Sequence, residues 1–169
     1  MNWYLVDKDY INYLKSFDAK VGDVDYGESI KPYIGIVFEM NDTNYYVPIS
    51  SAKAKHHSKS NSVDFLKVEV AGRLLAVINL NNMIPVPDKC LTLIKYDEVA
   101  NYKHFSTNKE KVDYVYLLQL EKKILDANEE TIKEKAEKLY NKRNKNPKSN
   151  LAKRCCDFQM LEEKSKNWK

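Results

Sequence analysis

A strand–turn–strand sequence between residues 33 and 49 is the feature that most constrains the fold. Tyr33–Met40 is rich in apolar and β-branched residues, and Tyr45–Ile49 is a second such run. Between them stands Asn41-Asp42-Thr43-Asn44, a sequence typical of turns. The pattern predicts a β-hairpin. Because hairpin strands are antiparallel, Lys31, before the first strand, is expected near the end of the second.

Six polar residues follow the second strand almost directly. They are Ser50, Ser51, Lys53, Lys55, His56 and His57. Hydroxyls, ammonium groups and imidazoles on the end of a rigid strand can hold the charge of a phosphate group and move protons. The same residue types also occur in ordinary polar surface loops. The segment is therefore a candidate phosphate site, with a solvated loop as the alternative.

Further strands are predicted on both sides of the hairpin. Trp3–Val6 suits a first strand, Phe65–Val70 alternates, Leu74–Leu80 is continuously apolar, and Leu91–Ile94 is short. About six strands in the first hundred residues, separated by short turns such as Ala71-Gly72, predict a small antiparallel β-barrel. The fold class is therefore α+β, with a barrel core over about residues 1–96.

Three stretches have helical periodicity. After a predicted N-cap at Asp9, the residues Tyr10, Tyr13 and Leu14 form a stripe, in which Tyr10 either fills the core or reaches a site with its hydroxyl. Val112–Ala127 and Glu129–Arg143 form a helical part over about residues 110–169. We expect one domain, because 169 residues are short of two comfortable ones.

Positive charge is concentrated between residues 133 and 154, where nine Lys or Arg stand against two Glu. This local excess is larger than the net charge of +4 for the whole chain. The run is either a solvated helix face or a surface that contacts phosphates, and Lys142, Arg143 and Lys145 are the candidate contacts.

Several classes of protein are disfavoured by what the sequence lacks. It contains no glycine-rich phosphate loop, no HExxH motif and no Cys/His cluster with metal-ligand spacing, so neither a metal nor an organic cofactor is expected. Its three cysteines form no CxxC pair, which indicates a reducing cytoplasm. No signal sequence or membrane span is predicted.

Four blocks of the sequence together resemble the ToxN/AbiQ/CptN family of endoribonuclease toxins from type III toxin–antitoxin and phage abortive-infection systems. They are Trp3-Tyr4 with Tyr10-Ile11-x-Tyr13-Leu14, Lys31-x-Tyr33-Ile34-Gly35-Ile36-Val37, Pro48-Ile49-Ser50-Ser51-Ala52-Lys53, and Val77-Ile78-Asn79-Leu80-x-x-Met83-Ile84-Pro85. The likeness continues through Tyr116–Asn128 and Cys156-x-Phe158-x-x-Leu161-Glu162-Glu163-Lys164. It covers nearly the whole chain in the same order.

The resemblance implies an SH3-like barrel similar to the MazF/Kid toxins and metal-independent RNA cleavage. It also implies a pseudoknot RNA antitoxin that the toxin cuts from a repeat transcript, and a closed toxin–RNA assembly. The family's small-hydroxyl pair and its lysine fall on Ser50, Ser51 and Lys53. Here Ser50 replaces a frequent Thr, and Ala52 replaces a frequent Pro.

The remaining site residues follow from the same likeness and from the expected chemistry. The family's helix tyrosine falls on Tyr10, its loop tyrosine on Tyr26 and its histidine on His56. We expect Lys31 and Lys53 to hold charge on the phosphoryl oxygens, and Ser50 and Ser51 to donate hydrogen bonds to them. Tyr26, Lys55, His56, His57, Lys142, Arg143 and Lys145 are predicted to bind RNA, with Tyr10 or His56 positioning substrate or moving protons.

Two other functions fit the same pattern. A noncatalytic barrel that binds RNA through tyrosine stacking and the basic segment shifts RNA and leaves it intact. A barrel-type protein–protein adaptor binds a polyproline peptide instead. Incubation with RNA separates these functions from an endoribonuclease.

Overall fold

The hairpin sequence forms the centre of a single antiparallel sheet. The computed structural model describes residues 1–22 and 31–169. The strands of that part are β1 (Asn2–Val6), β2 (Tyr33–Met40), β3 (Thr43–Ser51), β4 (Phe65–Val70), β5 (Arg73–Asn79), β6 (Ile84–Pro85) and β7 (Leu91–Leu93). Its α-helices are α1 (Lys8–Phe17), α2 (Ala54–His57), α3 (Asn108–Ala127), α4 (Glu129–Lys145), α5 (Asn150–Arg154) and α6 (Phe158–Lys166). The predicted α+β class is confirmed.

In each of the two hairpins, β2–β3 and β4–β5, a two-residue turn joins the strands. Asn41 and Asp42 have φ angles of 50° and 59°, and β3 starts at Thr43. The predicted four-residue turn is therefore too long by Thr43 and Asn44, which belong to β3. At the second hairpin, Ala71 and Gly72 have φ angles of 48° and 76°. Two successive residues with positive φ match the right-handed twist of the flanking strands, which favours short connections of this kind.

Strand β3 pairs along its length with three other strands. Tyr33 of β2 lies opposite Pro48, Pro85 of β6 lies opposite Tyr45, and Ile78 of β5 lies opposite Ile49. The strand order is β4-β5-β3-β2-β1-β7, with β6 beside β3. In the described part of the chain the end strands β4 and β7 do not pair, so the sheet is open and the predicted SH3-like closed barrel is not confirmed.

The predicted helices are present, and their starts show how side chains set the boundaries. The Thr107 hydroxyl accepts a 3.1 Å hydrogen bond from the Glu110 N–H, so α3 begins four residues before Val112. Helix α1 starts after Asp7, whose carboxylate accepts a 2.9 Å bond from the Tyr10 N–H. The predicted N-cap at Asp9 is therefore wrong by two residues.

The last helix is fixed to the sheet by a buried aromatic cluster. The Tyr45 hydroxyl donates a 2.6 Å hydrogen bond to Glu162 of α6. The Tyr45 ring lies 6.0 Å from the rings of Tyr140 and Phe158, centroid to centroid. This packing closes one side of the sheet with α4 and α6. Across residues 1–22 and 31–169, no helix combines the length and apolarity needed to cross a membrane.

Candidate active site at the end of strand β3

Ser50 and Ser51 lie on the inner strand that organises the sheet. Ser50 pairs with Val77 and Ser51 with Ala76, both on β5. On the other side of β3, the Ile49 N–H donates a 3.0 Å hydrogen bond to the carbonyl of Pro32. Ser50 is half-buried and Ser51 is exposed. A strand held on both sides gives the two hydroxyls a rigid support.

Lys31 lies at the same end of the sheet as Ser50. The bond between Ile49 and Pro32 continues the antiparallel register beyond β2, which places Lys31 next in line beside Ser50. The Lys31 ammonium packs against Gly22, where an added Cβ would come within 2.9 Å of Nζ. The hairpin therefore brings Lys31 and Ser50 together as the sequence indicated.

Lys53 is the residue at which the chain leaves β3 and enters α2. Its backbone is extended, with φ −128° and ψ 157°, and its N–H donates a 3.1 Å hydrogen bond to Nδ1 of His56. The Lys53 carbonyl accepts a 2.8 Å bond from the His56 N–H. Two bonds thus fix the Lys53 backbone, while its side chain remains exposed.

His56 supports this turn from the interior, because it is only 6% exposed and its ring lies 6.0 Å from the ring of Phe65. Since Nδ1 accepts a hydrogen bond, the proton of the neutral imidazole is on Nε2. Burial lowers the pKa of His56 below its ordinary value of 6.5, and the cations of the loop lower this pKa further. His56 therefore orients Lys53, and its neighbour His57 is the exposed imidazole of the pair.

The end of β3 is surrounded by positive charge. Between Ser50 and Val63 the chain carries no Asp or Glu, and Lys53, Lys55 and Lys59 are exposed. Asp64, the first carboxylate after this stretch, is paired with Arg154 at 2.5 Å. The electrostatic field at the two serines is therefore that of an anion-binding surface.

One residue of this surface was not anticipated from the sequence. Lys67 of β4 pairs with Val77, which pairs with Ser50, so the three lie in one cross-strand row. The Lys67 ammonium donates a 2.9 Å hydrogen bond to the carbonyl of His57. Alternation along β4 indicates that Lys67 points away from its apolar neighbours, but only the strand order shows that it lies beside the site.

Tyr10 is a correction to the predicted site. It is 0% exposed, and its hydroxyl lies 2.5 Å from the Pro85 carbonyl and 2.9 Å from the Ser165 hydroxyl. Burial raises its pKa above the ordinary value of 10.0. Pro85 lies opposite Tyr45, far along β3 from Ser51. The structure therefore assigns Tyr10 to the core. The other predicted tyrosine, Tyr26, falls outside the described residues.

The basic segment divides into paired and exposed residues. Arg143 is a second correction, because its side chain is 12% exposed and forms a 2.7 Å ion pair with Asp157. Lys142 and Lys145 are exposed, as predicted for RNA contacts. Together with Lys138, which the sequence did not single out, they lie on one face of α4 beside a shallow depression. These three lysines are called the α4 lysine stripe below.

In residues 1–22 and 31–169, no three His, Cys, Asp or Glu side chains are grouped closely enough to hold a metal ion. The three cysteines Cys90, Cys155 and Cys156 are buried and free. What the site offers chemically is a pair of hydroxyl donors, several ammonium groups and one exposed imidazole. This combination suits the binding and transfer of a phosphoryl group.

The chain has relatives along its whole length. The family described as "Toxin ToxN, type III toxin-antitoxin system" matches residues 2–166. Endoribonuclease AbiQ of Lactococcus lactis subsp. lactis is 29% identical over 174 residues, which cover 98% of this chain and 87% of AbiQ. Endoribonuclease ToxN of Bacillus thuringiensis subsp. kurstaki is 28% identical over 173 residues, which cover 99% of this chain and 84% of that protein.

Solved structures agree with this likeness. A protein from work described as "A processed non-coding RNA regulates a bacterial antiviral system" superposes with a TM-score of 0.84 and 28% identity, over 99% of both chains. AbiQ, described as a lactococcal anti-phage endoribonuclease belonging to the type III toxin–antitoxin system, gives a TM-score of 0.82 at 26% identity. That alignment covers 98% of this chain and 96% of AbiQ.

Proposed function

Because the chain belongs to the ToxN family of type III toxin–antitoxin toxins, we propose that it is an endoribonuclease toxin whose activity an RNA antitoxin inhibits. The observation that carries the proposal is the geometry at the end of β3, where two serines on an inner strand lie beside Lys31 and Lys53. The family relatives named as endoribonucleases support the reaction class.

The reaction we propose is an internal transesterification of RNA that needs no metal ion. The ribose 2′-oxygen attacks the adjacent phosphorus, a 2′-O–P bond forms and the P–O5′ bond breaks. The 2′-OH proton goes to a general base, and a proton is delivered to the departing O5′. The products are a 2′,3′-cyclic phosphate and a 5′-OH, and no external reactant is consumed.

The residues divide this chemistry between charge and hydrogen bonding. Lys53 and Lys31 stabilise the negative charge that grows on the phosphoryl oxygens, and Ser50 and Ser51 donate hydrogen bonds to them. His56 does not reach the substrate, because its ring is buried and holds the Lys53 backbone. His57 is the imidazole exposed for proton transfer, and Lys55 contributes to RNA binding.

The partner we propose is a folded RNA antitoxin that the toxin itself processes from a repeat transcript. One related structure is described as showing selective toxin inhibition by a non-coding RNA pseudoknot. The α4 lysine stripe supplies positive charge at a distance in sequence from the cleavage residues, as a partner with a dense phosphate surface requires. In this proposal the toxin cleaves mRNA in the cytoplasm, arrests growth during phage infection and forms a closed assembly with its antitoxin.

Incubation of the purified protein with an RNA transcript of mixed sequence, in buffer that contains EDTA, tests whether the protein cleaves RNA without a metal ion. We expect cleavage to persist and to leave 2′,3′-cyclic phosphate ends, which block ligation of a 3′ adapter until the cyclic phosphate is opened and removed. Loss of cleavage in EDTA with recovery in Mg²⁺ contradicts the mechanism. Binding of RNA without any cleavage favours a noncatalytic RNA-binding module instead.

A further inference from the structure

Helix α3 carries an exposed apolar face in addition to its buried one. Leu118 and Leu125 face the core, whereas Val112 and Tyr116 are 56% and 65% exposed. The two exposed residues are four apart and therefore neighbours on the helix surface. The Tyr116 ring makes no aromatic contact in the described part of the chain. A large exposed aromatic side chain of this kind is typical of a binding surface.

Tyr116 lines a groove between α3 and the sheet. Tyr114, Leu117 and Leu120 of α3 form one wall, and Arg73 and Leu75 of β5 form the other. The groove has a volume of about 490 Å³. This volume is within the range of ordinary small-molecule sites, so the groove can accept a nucleotide-sized group. We call it the Tyr116 groove.

The groove adjoins the candidate active site through Leu75. The Leu75 carbonyl accepts a 3.2 Å hydrogen bond from the N–H of Ala52, the residue between Ser51 and Lys53. The next residue of β5, Ala76, pairs with Ser51. Leu75 is therefore a wall residue of the groove and a direct backbone partner of the catalytic segment. A chain bound across Ser51 can pass directly into the groove.

The groove is lined by two cations, Arg73 and Lys103, and by two carboxylates, Glu110 and Asp113. Arg73 is exposed and has no ion pair within residues 1–22 and 31–169. Lys103 lies over the Tyr114 ring, with Nζ 5.8 Å from its centroid. The two acids of the groove already have partners. Asp113 pairs with Lys109 at 2.8 Å, and the Glu110 carboxylate accepts a 2.9 Å bond from the Ser106 N–H. An aromatic face beside the exposed Arg73 complements a base and its phosphate.

We propose that the Tyr116 groove is a subsite for the single-stranded RNA substrate. A base beyond the two nucleotides joined by the cleaved bond stacks on Tyr116, and a phosphate of the same strand contacts Arg73. This inference rests on the proposed function, because it assigns the groove to the substrate of that reaction. It explains why the exposed ring lies across the groove from the strand that contacts the catalytic segment.

The test compares Tyr116→Ala, Tyr116→Phe and Arg73→Gln with the unchanged protein on two substrates. One is a 12-nucleotide RNA that the toxin cuts, and the other is the dinucleotide that contains only the cleaved bond. Loss of a stacking platform is expected to lower kcat/KM for the longer RNA by roughly 10-fold or more. Tyr116→Phe keeps the ring and is expected to keep the rate. The dinucleotide is expected to be cut equally by all variants.

Val112→Ala is the matched control, because it removes an exposed apolar side chain from the same helix face without removing a ring. We expect it to leave both substrates unaffected. Equal kcat/KM for Tyr116→Ala and the unchanged protein on the longer RNA overturns the inference. A second result also overturns it: Tyr116→Ala changes the oligomeric state, measured by sedimentation, and leaves cleavage unchanged. In that case the exposed face joins copies of this chain.

The inference and the proposed function fail in different ways. If no RNA is cleaved by the unchanged protein, the proposed function is wrong. Fluorescence anisotropy of the labelled 12-nucleotide RNA then still tests the groove, through the affinity ratio between Tyr116→Phe and Tyr116→Ala. If RNA is cleaved and the two variants do not differ on the longer substrate, only the inference is wrong.

Discussion

The backbone N–H of Lys53 is bonded to Nδ1 of His56, so a buried imidazole holds the backbone of the lysine that we propose to be catalytic. Each residue thereby has a separate role. The Lys53 side chain is exposed toward solvent, and the His56 side chain is buried beneath it. Substitution of Lys53 therefore removes the charge of the lysine, whereas substitution of His56 removes the bond that holds the lysine in position.

Removal of either exposed group at the end of β3 is expected to abolish cleavage. Ser51→Ala and Lys53→Ala each remove a donor to the phosphoryl oxygens, and the absence of a single transition-state donor of this kind costs roughly 10²–10³ in kcat. Both side chains are exposed, so folding is expected to be unchanged. The measurements are growth inhibition at matched expression and cleavage of RNA in vitro. Ser16→Ala on α1 and Lys123→Ala on α3, at exposed residues outside the site segment, are the controls. Full toxicity of either site variant refutes the assignment.

The role of His56 is tested by removing or replacing the side-chain acceptor that it offers to the Lys53 N–H. In His56→Ala the Lys53 N–H has no side-chain partner, which is expected to cost about 1 kcal/mol of stability and to lower kcat. His56→Asn offers a side-chain oxygen close to the position of Nδ1 and is expected to restore part of both. Thermal unfolding and cleavage kinetics measure the two effects. A general-base role predicts instead that His56→Asn is as inactive as His56→Ala.

The same bond makes the site sensitive to acid. The folded-state pKa of His56 is below the ordinary 6.5, so its contribution to stability is complete above about pH 6.5 and is lost as the pH falls through the folded-state pKa. The stability difference between the unchanged protein and His56→Ala is therefore expected to shrink in acid. His104→Ala, at an exposed histidine, serves as the control.

Neutralisation of the α4 lysine stripe is expected to weaken antitoxin binding more than cleavage. Substitution of Lys138, Lys142 and Lys145 by Gln removes three exposed cations that lie on one helix face. Affinity for the antitoxin RNA is expected to depend less on salt, by roughly one unit of slope for each phosphate group that is no longer bound. Titrations at several salt concentrations measure the slope, and turnover of a short RNA measures cleavage. An unchanged slope identifies the stripe as a solvated helix face.

Arg143 was predicted to bind RNA with these lysines, but its side chain forms an ion pair with Asp157. Its substitution is therefore expected to affect stability and not RNA binding. Arg143→Gln leaves the Asp157 carboxylate without its partner beside α6. We expect a lower melting temperature and an unchanged salt slope for antitoxin binding. The same two measurements therefore separate an RNA contact from a structural ion pair.

Glu121 is expected to make the protein less stable as the pH rises. It is 4% exposed on the inner face of α3, and burial raises its pKa from the ordinary 4.5 to about 7. The folded state holds the Glu121 proton more tightly than the unfolded state. The contribution of Glu121 to the stability of the protein is therefore largest below pH 4.5 and falls as the pH rises from 4.5 to 7. Glu121→Gln is expected to stabilise the protein at pH 8 by an amount on the order of 3 kcal/mol. Urea unfolding at pH 5 and pH 8 measures it, and equal effects at both pH values contradict the burial argument.

The sequence by itself determined the local elements and the choice of the candidate site segment. The positions of the turns, the strands and the long helices follow from residue types within a few positions of one another. So does the abrupt change from an apolar strand to Ser50, Ser51 and Lys53. The antiparallel register of the hairpin then brings Lys31 to the same end, because it depends only on two neighbouring strands.

Tertiary structure alone decided which side chains are available for chemistry. Tyr10, His56 and Arg143 are polar residues in segments predicted to be functional. Tyr10 and His56 are buried, and Arg143 is ion-paired with Asp157. Lys67 was placed in the same cross-strand row as Ser50, with Val77 between them, by a strand order that no local pattern specifies. The physical reason is that periodicity reports the face of an element on which a residue lies. Burial and charge pairing depend instead on which elements meet that face, and this is set by contacts across the whole chain.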